Sequence, residues 1–221
     1  MIVKDPSLYG VNSEGETMDH PIVAAVKKLD SFVIDKSSSK PEEVIVCLQD
    51  IKKECDIDLS RRCLAGTNGA YTVFYKTLSA YMNEKDVFQQ ALLSFCSLVN
   101  GQPDLIDISG VELLISALKQ YSETAEIEEL IVRAVRLHCI KHEANRQAFI
   151  KNNYIIAVTD LLAAHKTNAG LVKEICMSLR ALTLDDDVRV PFGKAHETSK
   201  TIVTEGDALS AILALSKGEN I

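Results

Sequence analysis

The stretch TAEIEELIVRAVRLHCIKH, from Thr124 to His142, decides the fold. Its apolar residues fall on nearly every face of a helix, while acids gather at its start and bases at its end, as a helix dipole prefers. Thr124 is placed to cap this helix. Because a helix that is apolar all round is buried on most sides, the stretch predicts a long helix enclosed by other helices.

The same kind of helix recurs along the chain. Two series of apolar residues repeat every 43 positions: Cys96, Cys139 and Leu182 in the first, and Ile106, Phe149 and Phe192 in the second. Two series across several units are typical of a helical repeat with a period near 43 residues.

The composition limits the class of protein. The chain has 221 residues, of which 47% are hydrophobic and 5% aromatic, with a net charge of −7. No window reaches the roughly 18 consecutive apolar residues of a membrane span, and the N-terminus lacks an apolar signal core. An acidic chain repels phosphates on average, so nucleic acid is an unfavoured partner. Six cysteines without a C-x-x-C pair favour a reduced, intracellular protein of the cytoplasm or nucleus.

The first 56 residues precede the periodic part. Residues 1–18 are polar and interrupted by proline and glycine, which predicts a disordered arm. Residues 19–56 predict an N-terminal helical cap of two helices, from His20 capped by Asp19 to about Ile34, and from Pro41 to about Cys55.

The periodic part, residues 57–221, predicts units over 57–100, 101–142, 143–186 and an incomplete 187–221. Each complete unit has a short, a medium and a long helix. The expected short helices are Leu59–Ala65, Pro103–Ile108 and Asn145–Lys151; the medium ones are Ala70–Met82, Val111–Tyr121 and Tyr154–His165; the other long ones are Lys85–Val99 and Ala169–Leu184. The last unit predicts a longer first helical region, Val188–Thr204, and a second helix, Asp207–Ser216, after which the apolar surface lacks a covering third helix.

Capping residues define several of these ends. Asn83 and Asn168 are expected to cap long helices, and Asn100-Gly101 to end one. Ser109 and Glu112 predict a capping box for the helix that begins at Val111.

Several segments resemble a known family. GQPDLID (Gly101–Asp107), KHEANRQAFIK (Lys141–Lys151) and DDDVRVPFGKAH (Asp185–His196) resemble the armadillo repeat-containing protein six family, and the resemblance extends over nearly the whole chain. It implies an all-α fold: an armadillo/HEAT-like right-handed α-solenoid of three-helix repeats that engages other proteins. It brings no established catalytic residue and no cofactor, and its longer members imply that this is a partial chain.

The resemblance also implies a departure from the usual peptide-binding groove. Peptide-binding armadillo proteins carry an Asn on each third helix, and the matching positions here are Phe95, His138 and Ala181. An importin-like grip on a peptide backbone is therefore not expected.

The groove nevertheless has candidate partner-binding residues: Arg136, His138, Lys141 and Arg180. With Arg133 and Arg146 they could form a basic strip suited to an acidic peptide or nucleic acid. The alternative is that the arginines pair with nearby glutamates. Similarly, His138 could offer a hydrogen bond to a ligand or pack against a neighbouring unit.

The second candidate surface is the insert, residues 189–196, with Arg189, Lys194 and His196 as partner-binding residues. An element that breaks a repeat is a reasonable binding feature, although it could be a local packing accommodation. The preceding Asp185, Asp186 and Asp187 either contact a partner or cap the junction before Pro191.

No motif of a hydrolase, metalloprotease or nucleotide-binding loop occurs. The sequence therefore favours a non-catalytic protein-interaction scaffold without cofactor or metal. The alternatives are a metal-binding protein or enzyme that uses the His138–His142 pair, and a nucleic-acid binder.

Overall fold

A computed structural model describes residues 10–11, 17–204 and 207–217. Twelve α-helices run through these residues: α1 Pro21–Ile34, α2 Pro41–Ile57, α3 Leu59–Thr67, α4 Ala70–Ala80, α5 Lys85–Val99, α6 Ile108–Gln120, α7 Ala125–Cys139, α8 Glu143–Lys151, α9 Tyr154–Ala164, α10 Ala169–Leu182, α11 Ala195–Thr204 and α12 Ala208–Lys217. The described residues are therefore almost entirely α-helical, as the sequence predicts.

Two short strands precede the helices. β1 (Gly10–Val11) pairs antiparallel with β2 (Thr17–Met18). They fall within the region predicted as a disordered arm, and residues 1–9 and 12–16 of that region lie outside the described residues.

Two compact units divide the chain, Met1–Leu98 and Val99–Ile221. In the first, α1 packs on α2, α3 and α4. The Phe74 and Phe95 rings stack at 5.3 Å between centroids, and Ser94 donates to the Leu48 carbonyl at 2.8 Å. These buried contacts join the predicted cap helices α1 and α2 to α4 and α5.

In the second unit, α7 and α10 pack side by side, while α9 contacts α8, α10 and α12. The Tyr154 and Ser178 hydroxyls lie 2.8 Å apart in the core. Cys139 and Leu182 are buried, as Cys96 is in the first unit, so the apolar residues of the first series are core residues, as expected. The second series is confirmed for the buried Ile106 and Phe149 and is wrong for Phe192, which is exposed.

Two segments predicted as helical are irregular. Residues 102–107 form no helix, and the first helix of the last unit begins at Ala195 rather than Val188. In both segments side chains bond to the backbone in place of helical hydrogen bonds. Asn145 binds the backbone of residues 104 and 106, and Asp187 binds the Arg189 amide.

Three predicted caps differ from the observed ones. Asp107 caps α6, since its Oδ1 accepts from the Gly110 amide at 2.8 Å, so the helix begins before the expected capping box. His20 caps α1 in place of Asp19, because Pro21 is the first helical residue. Thr124 stands at the start of α7 without a side-chain capping bond. The predicted cap of α10 is confirmed, because Asn168 accepts from the Leu171 amide at 3.1 Å.

Candidate interaction site

The acidic cluster of the last repeat fastens one irregular segment to the start of α8. The Lys141 amide donates to both carboxylate oxygens of Asp186, at 3.1 Å each, and the Glu143 amide donates to Asp187 Oδ2 at 2.8 Å. Lys141 has a φ of 55°, a left-handed conformation uncommon outside glycine. Asp187 also accepts the Arg189 amide at 3.1 Å, so the alternative of a capped junction before Pro191 holds for Asp187, whereas Asp186 binds the turn before α8. We call residues 185–194 the anchored segment.

A buried arginine joins the same elements. Arg146 is fully buried, and it donates to Glu143 Oε2 at 2.8 Å, to the Cys139 carbonyl at 2.8 Å and to Asp186 Oδ1 at 2.7 Å. A buried charge is stable only when it is paired and hydrogen-bonded, so these three acceptors are needed to keep the guanidinium inside.

Arg189 forms the outer part of this network. Its guanidinium binds both oxygens of Asp187, at 2.8 and 3.0 Å, and donates to the Lys141 carbonyl at 2.9 Å. The bonds from Arg189 hold the pKa of Asp187 well below its usual range, so Asp187 stays charged. A two-bond fork of this kind also fixes the direction of the side chain.

One further contact holds the end of the anchored segment, and a bond within α8 positions its acceptor. The Lys194 amide donates to Glu143 Oε1 at 3.1 Å, and Gln147 Nε2 donates to the same oxygen at 3.0 Å. A Cβ on Gly193 would lie 2.4 Å from Asp185 Oδ1, so a larger residue here would require the exposed Asp185 side chain to turn aside.

The fixed backbone of the anchored segment presents two large apolar side chains to solvent. Val188 is 100% exposed and Phe192 is 89% exposed. An exposed Phe and Val on an ordered segment can enter an apolar pocket of another molecule with little loss of backbone entropy. Sequence reasoning missed both residues as surface groups, because the 43-residue spacing assigns Phe192 to the core.

The structure places the predicted residues of the insert around these two side chains. The Arg189 guanidinium is engaged by Asp187 and the Lys141 carbonyl, although much of it is exposed. Lys194 is exposed, with its Nζ 3.8 Å from Glu197, and His196 is also exposed. Polar groups of both signs therefore border the apolar pair.

Three arginines of the predicted basic strip are paired: Arg146 binds Glu143 and Asp186, as described above, and the other two are Arg133 and Arg136. Arg136 Nε donates to Glu174 Oε2 at 2.9 Å, and Arg133 Nε donates to Glu174 Oε1 at 3.1 Å. Arg133 also binds Glu129 at 2.6 Å. The alternative of pairing with glutamates thus holds for Arg133 and Arg136. Of the remaining candidates, Lys141 and Arg180 are exposed.

His138 is fully buried, which corrects its assignment as a partner-binding residue. Its Nδ1 lies 2.8 Å from the Ala134 carbonyl, and burial lowers its pKa to about 4, so the ring is neutral at pH 7. Phe95 and Ala181, the other two positions at which peptide-binding armadillo proteins carry an Asn, are buried as well. A side chain at such a position cannot reach a ligand without disturbing the core.

His142 has a local structural role. Its Nδ1 accepts from the Asn145 amide at 3.3 Å and so caps α8, while burial lowers the pKa of the ring. Burial also raises the pKa of the neighbouring Cys139 thiol. Throughout the part of the chain that the structure describes, no three His, Cys, Asp or Glu side chains are grouped to hold a metal ion. The His138–His142 hypothesis thus has no third ligand among these residues.

Among the helices described here, none combines the length and the apolar character needed to cross a membrane.

Comparison with known proteins gives one consistent result. The ARMC6 family model matches residues 22–218. The chain is 35% identical over 199 residues to armadillo repeat-containing protein 6 of Homo sapiens and to that of Pongo abelii, covering 90% of this chain and 39% of each relative. It is 34% identical over 176 residues to the Drosophila melanogaster homolog, covering 78% of this chain and 38% of the relative. No solved structure matches it.

The chain thus spans about two fifths of the length of these curated relatives. The family model covers both compact units, including the anchored segment and α8. The chain belongs to the ARMC6 family of armadillo repeat-containing proteins.

Proposed function

We propose that this chain is a non-catalytic protein-interaction module, which binds a partner protein through the anchored segment. The carrying observation is that Val188 and Phe192 are exposed to solvent on a backbone held by buried ion pairs. Large apolar side chains on an ordered surface segment commonly mark interaction sites.

The energetics of such a contact favour the apolar pair as its centre. Full burial of a Val or Phe side chain contributes about 1.5–3 kcal/mol. Because the network of Asp186, Asp187 and Arg146 already fixes the segment, binding would spend little free energy on ordering it. Arg189, Lys194 and His196 would lie at the polar rim, where charge governs partner choice and association rate more than affinity.

The exposed face of α7 and α10 is proposed as a second contact. Arg180 and Lys141 are exposed, while Arg136 is held by Glu174. An acidic segment of the partner would complement the two exposed cations. We further propose an intracellular location, which the six free cysteines support.

Quantitative capture from cell lysate tests this function. The immobilised chain is compared with a Val188→Asp, Phe192→Asp variant and with an Ile156→Asp control, whose position in α9 is 44% exposed. We expect proteins enriched on the wild type and the control to be lost from the double variant, with unchanged thermal melting. Equal enrichment on all three chains would refute the anchored segment as the contact.

A separate variant tests the α7–α10 face. Arg180→Glu is suitable because Arg180 is exposed, whereas Arg136→Glu would place a second carboxylate beside Glu174. Reduced enrichment on Arg180→Glu alone would place that face in the contact. Unchanged enrichment would remove it and leave the anchored segment.

A further inference from the structure

A second irregular segment is fastened to α8 in the same manner as the first. Asn145 is fully buried; its Oδ1 accepts from the Ile106 amide at 3.0 Å, and its Nδ2 donates to the Asp104 carbonyl at 2.8 Å. Its Nδ2 also donates to the His138 carbonyl at 2.9 Å. The backbone of residues 102–107 is therefore tied to the first turn of α8, as the anchored segment is.

The two segments lie on opposite sides of α8. The Asn145 side chain binds residues 104 and 106, while the Glu143 side chain accepts the Lys194 amide. Two positions along a helix correspond to about 200° of rotation, so these two sides face away from each other. Ala144, Ala148 and Lys151 fall on the intermediate face, where Ala144 and Lys151 are exposed and Ala148 is half-buried. The outer face of α8 thus runs between the two segments.

Both segments expose large apolar side chains. Leu105 is 64% exposed and Ile108, at the start of α6, is 56% exposed. On the other side of α8 are Val188 and Phe192. We call these four residues, together with Ala144 and Ala148, the α8 surface.

We infer that the α8 surface binds an amphipathic helix of the partner protein, laid along α8 between the two segments; this inference rests on the proposed function. Ala144 and Ala148, at i and i+4, have small side chains, so a partner helix can approach the outer face of α8 closely. Leu105 and Phe192 would then contact the two sides of the partner helix. A partner helix presents apolar residues at i, i+3, i+4 and i+7, which matches a narrow strip with apolar borders.

The charges along the two borders indicate the orientation of the partner's polar residues. Asp104 and Asp107 lie on the side of residues 102–107, and both are exposed. On the opposite side, Arg189 pairs with Asp187 and Lys194 lies 3.8 Å from Glu197, so that border carries both signs. The complementary helix therefore carries basic residues along the edge of its apolar stripe that faces Asp104 and Asp107.

A displayed peptide library supplies the probe. Each peptide has about 18 residues, which is roughly five helical turns. The residues at one helical stripe are randomised, and the other positions are fixed as residues that favour a helix. Peptides that bind the immobilised wild-type chain are selected. Selected peptides are then titrated against Ala144→Arg, Leu105→Asp and Phe192→Asp. The matched control is Ala163→Arg, an exposed alanine of the neighbouring helix α9. Circular dichroism checks that each variant is folded.

We expect selected peptides that become helical on binding, and lose at least about tenfold in affinity for Ala144→Arg and Leu105→Asp but not for Ala163→Arg. Peptides that lose affinity only for Phe192→Asp would overturn the helix site and leave the proposed function standing. A library that yields no peptide sensitive to Ala144→Arg would also overturn the helix site. The lysate comparison with Val188→Asp, Phe192→Asp tests the proposed function separately.

Discussion

Arg146 Nη1 lies 2.7 Å from Asp186 Oδ1, which joins the buried side of α8 to the irregular segment of the following repeat. The same carboxylate accepts the Lys141 amide. Asp186 therefore binds both a buried cation and the backbone amide of Lys141, whose φ is left-handed. The anchored segment owes its order to this pairing rather than to a helix of its own.

Removal of the buried cation should destabilise the second unit strongly. Arg146→Ala leaves the nearly buried Glu143 carboxylate without its cation, and breaking a buried pair typically costs about 3–5 kcal/mol. Urea denaturation followed by circular dichroism measures the loss. Lys194→Ala removes an exposed cation of the same region and should leave the midpoint unchanged. Equal midpoints for both variants would contradict a stabilising role of Arg146.

Gly193→Ala should loosen the anchored segment. The added Cβ would lie 2.4 Å from Asp185 Oδ1, and turning this exposed carboxylate aside should cost less than the roughly 1–3 kcal/mol of overpacking in a core. Hydrogen exchange of residues 185–194 should accelerate, while α9 remains protected. Because Asp185 is exposed, Gly193→Ala combined with Asp185→Ala should restore protection. A double variant as labile as Gly193→Ala would show that the carboxylate is not the obstacle.

The cap of α6 gives a test with a clear internal comparison. Asp107→Ala removes the acceptor of the Gly110 amide and should cost about 0.5–2 kcal/mol. Glu112→Ala, at the expected capping-box position, should cost much less, since α6 already begins at Ile108. Thermal melts of both variants provide the measurement. A larger loss for Glu112→Ala would favour the capping box over Asp107.

The long helices could be predicted because their packing repeats. Cys96, Cys139 and Leu182 are all buried, in α5, α7 and α10, so one apolar pattern recurs at one spacing along the sequence. Local capping chemistry also predicted the start of α10 at Asn168.

The anchored segment could not be predicted in this way, because its shape depends on partners distant in the sequence. Asp186 and Asp187 bind the backbone at Lys141 and Glu143, more than forty residues earlier, and no local pattern encodes that pairing. The burial of His138 is similar, since a polar residue near the end of a helix becomes internal only through the elements packed around it. Exposure of Phe192 follows from the longer connection, which breaks the 43-residue spacing.

Buried histidine should make the second unit less stable in mild acid. The unfolded chain takes up a proton on His138 near pH 6.5, whereas the folded chain holds the pKa at about 4. The unfolded state therefore binds more protons between these values, and stability is present above pH 6.5 and is lost as the pH falls. Between pH 7 and pH 5 the loss from this residue is about 2 kcal/mol.

The variant His138→Gln separates this contribution from that of the carboxylates. Unfolding free energy is measured by urea denaturation at several pH values from 7 to 5, and the readout is the slope rather than the absolute stability. We expect a flatter slope for His138→Gln and an unchanged slope for His196→Gln, because His196 is exposed. His142 remains in both variants, and since burial lowers its pKa in the same direction, part of the slope should persist. Parallel slopes for wild type and His138→Gln would mean that His138 gains its proton in the folded chain as readily as in the unfolded one.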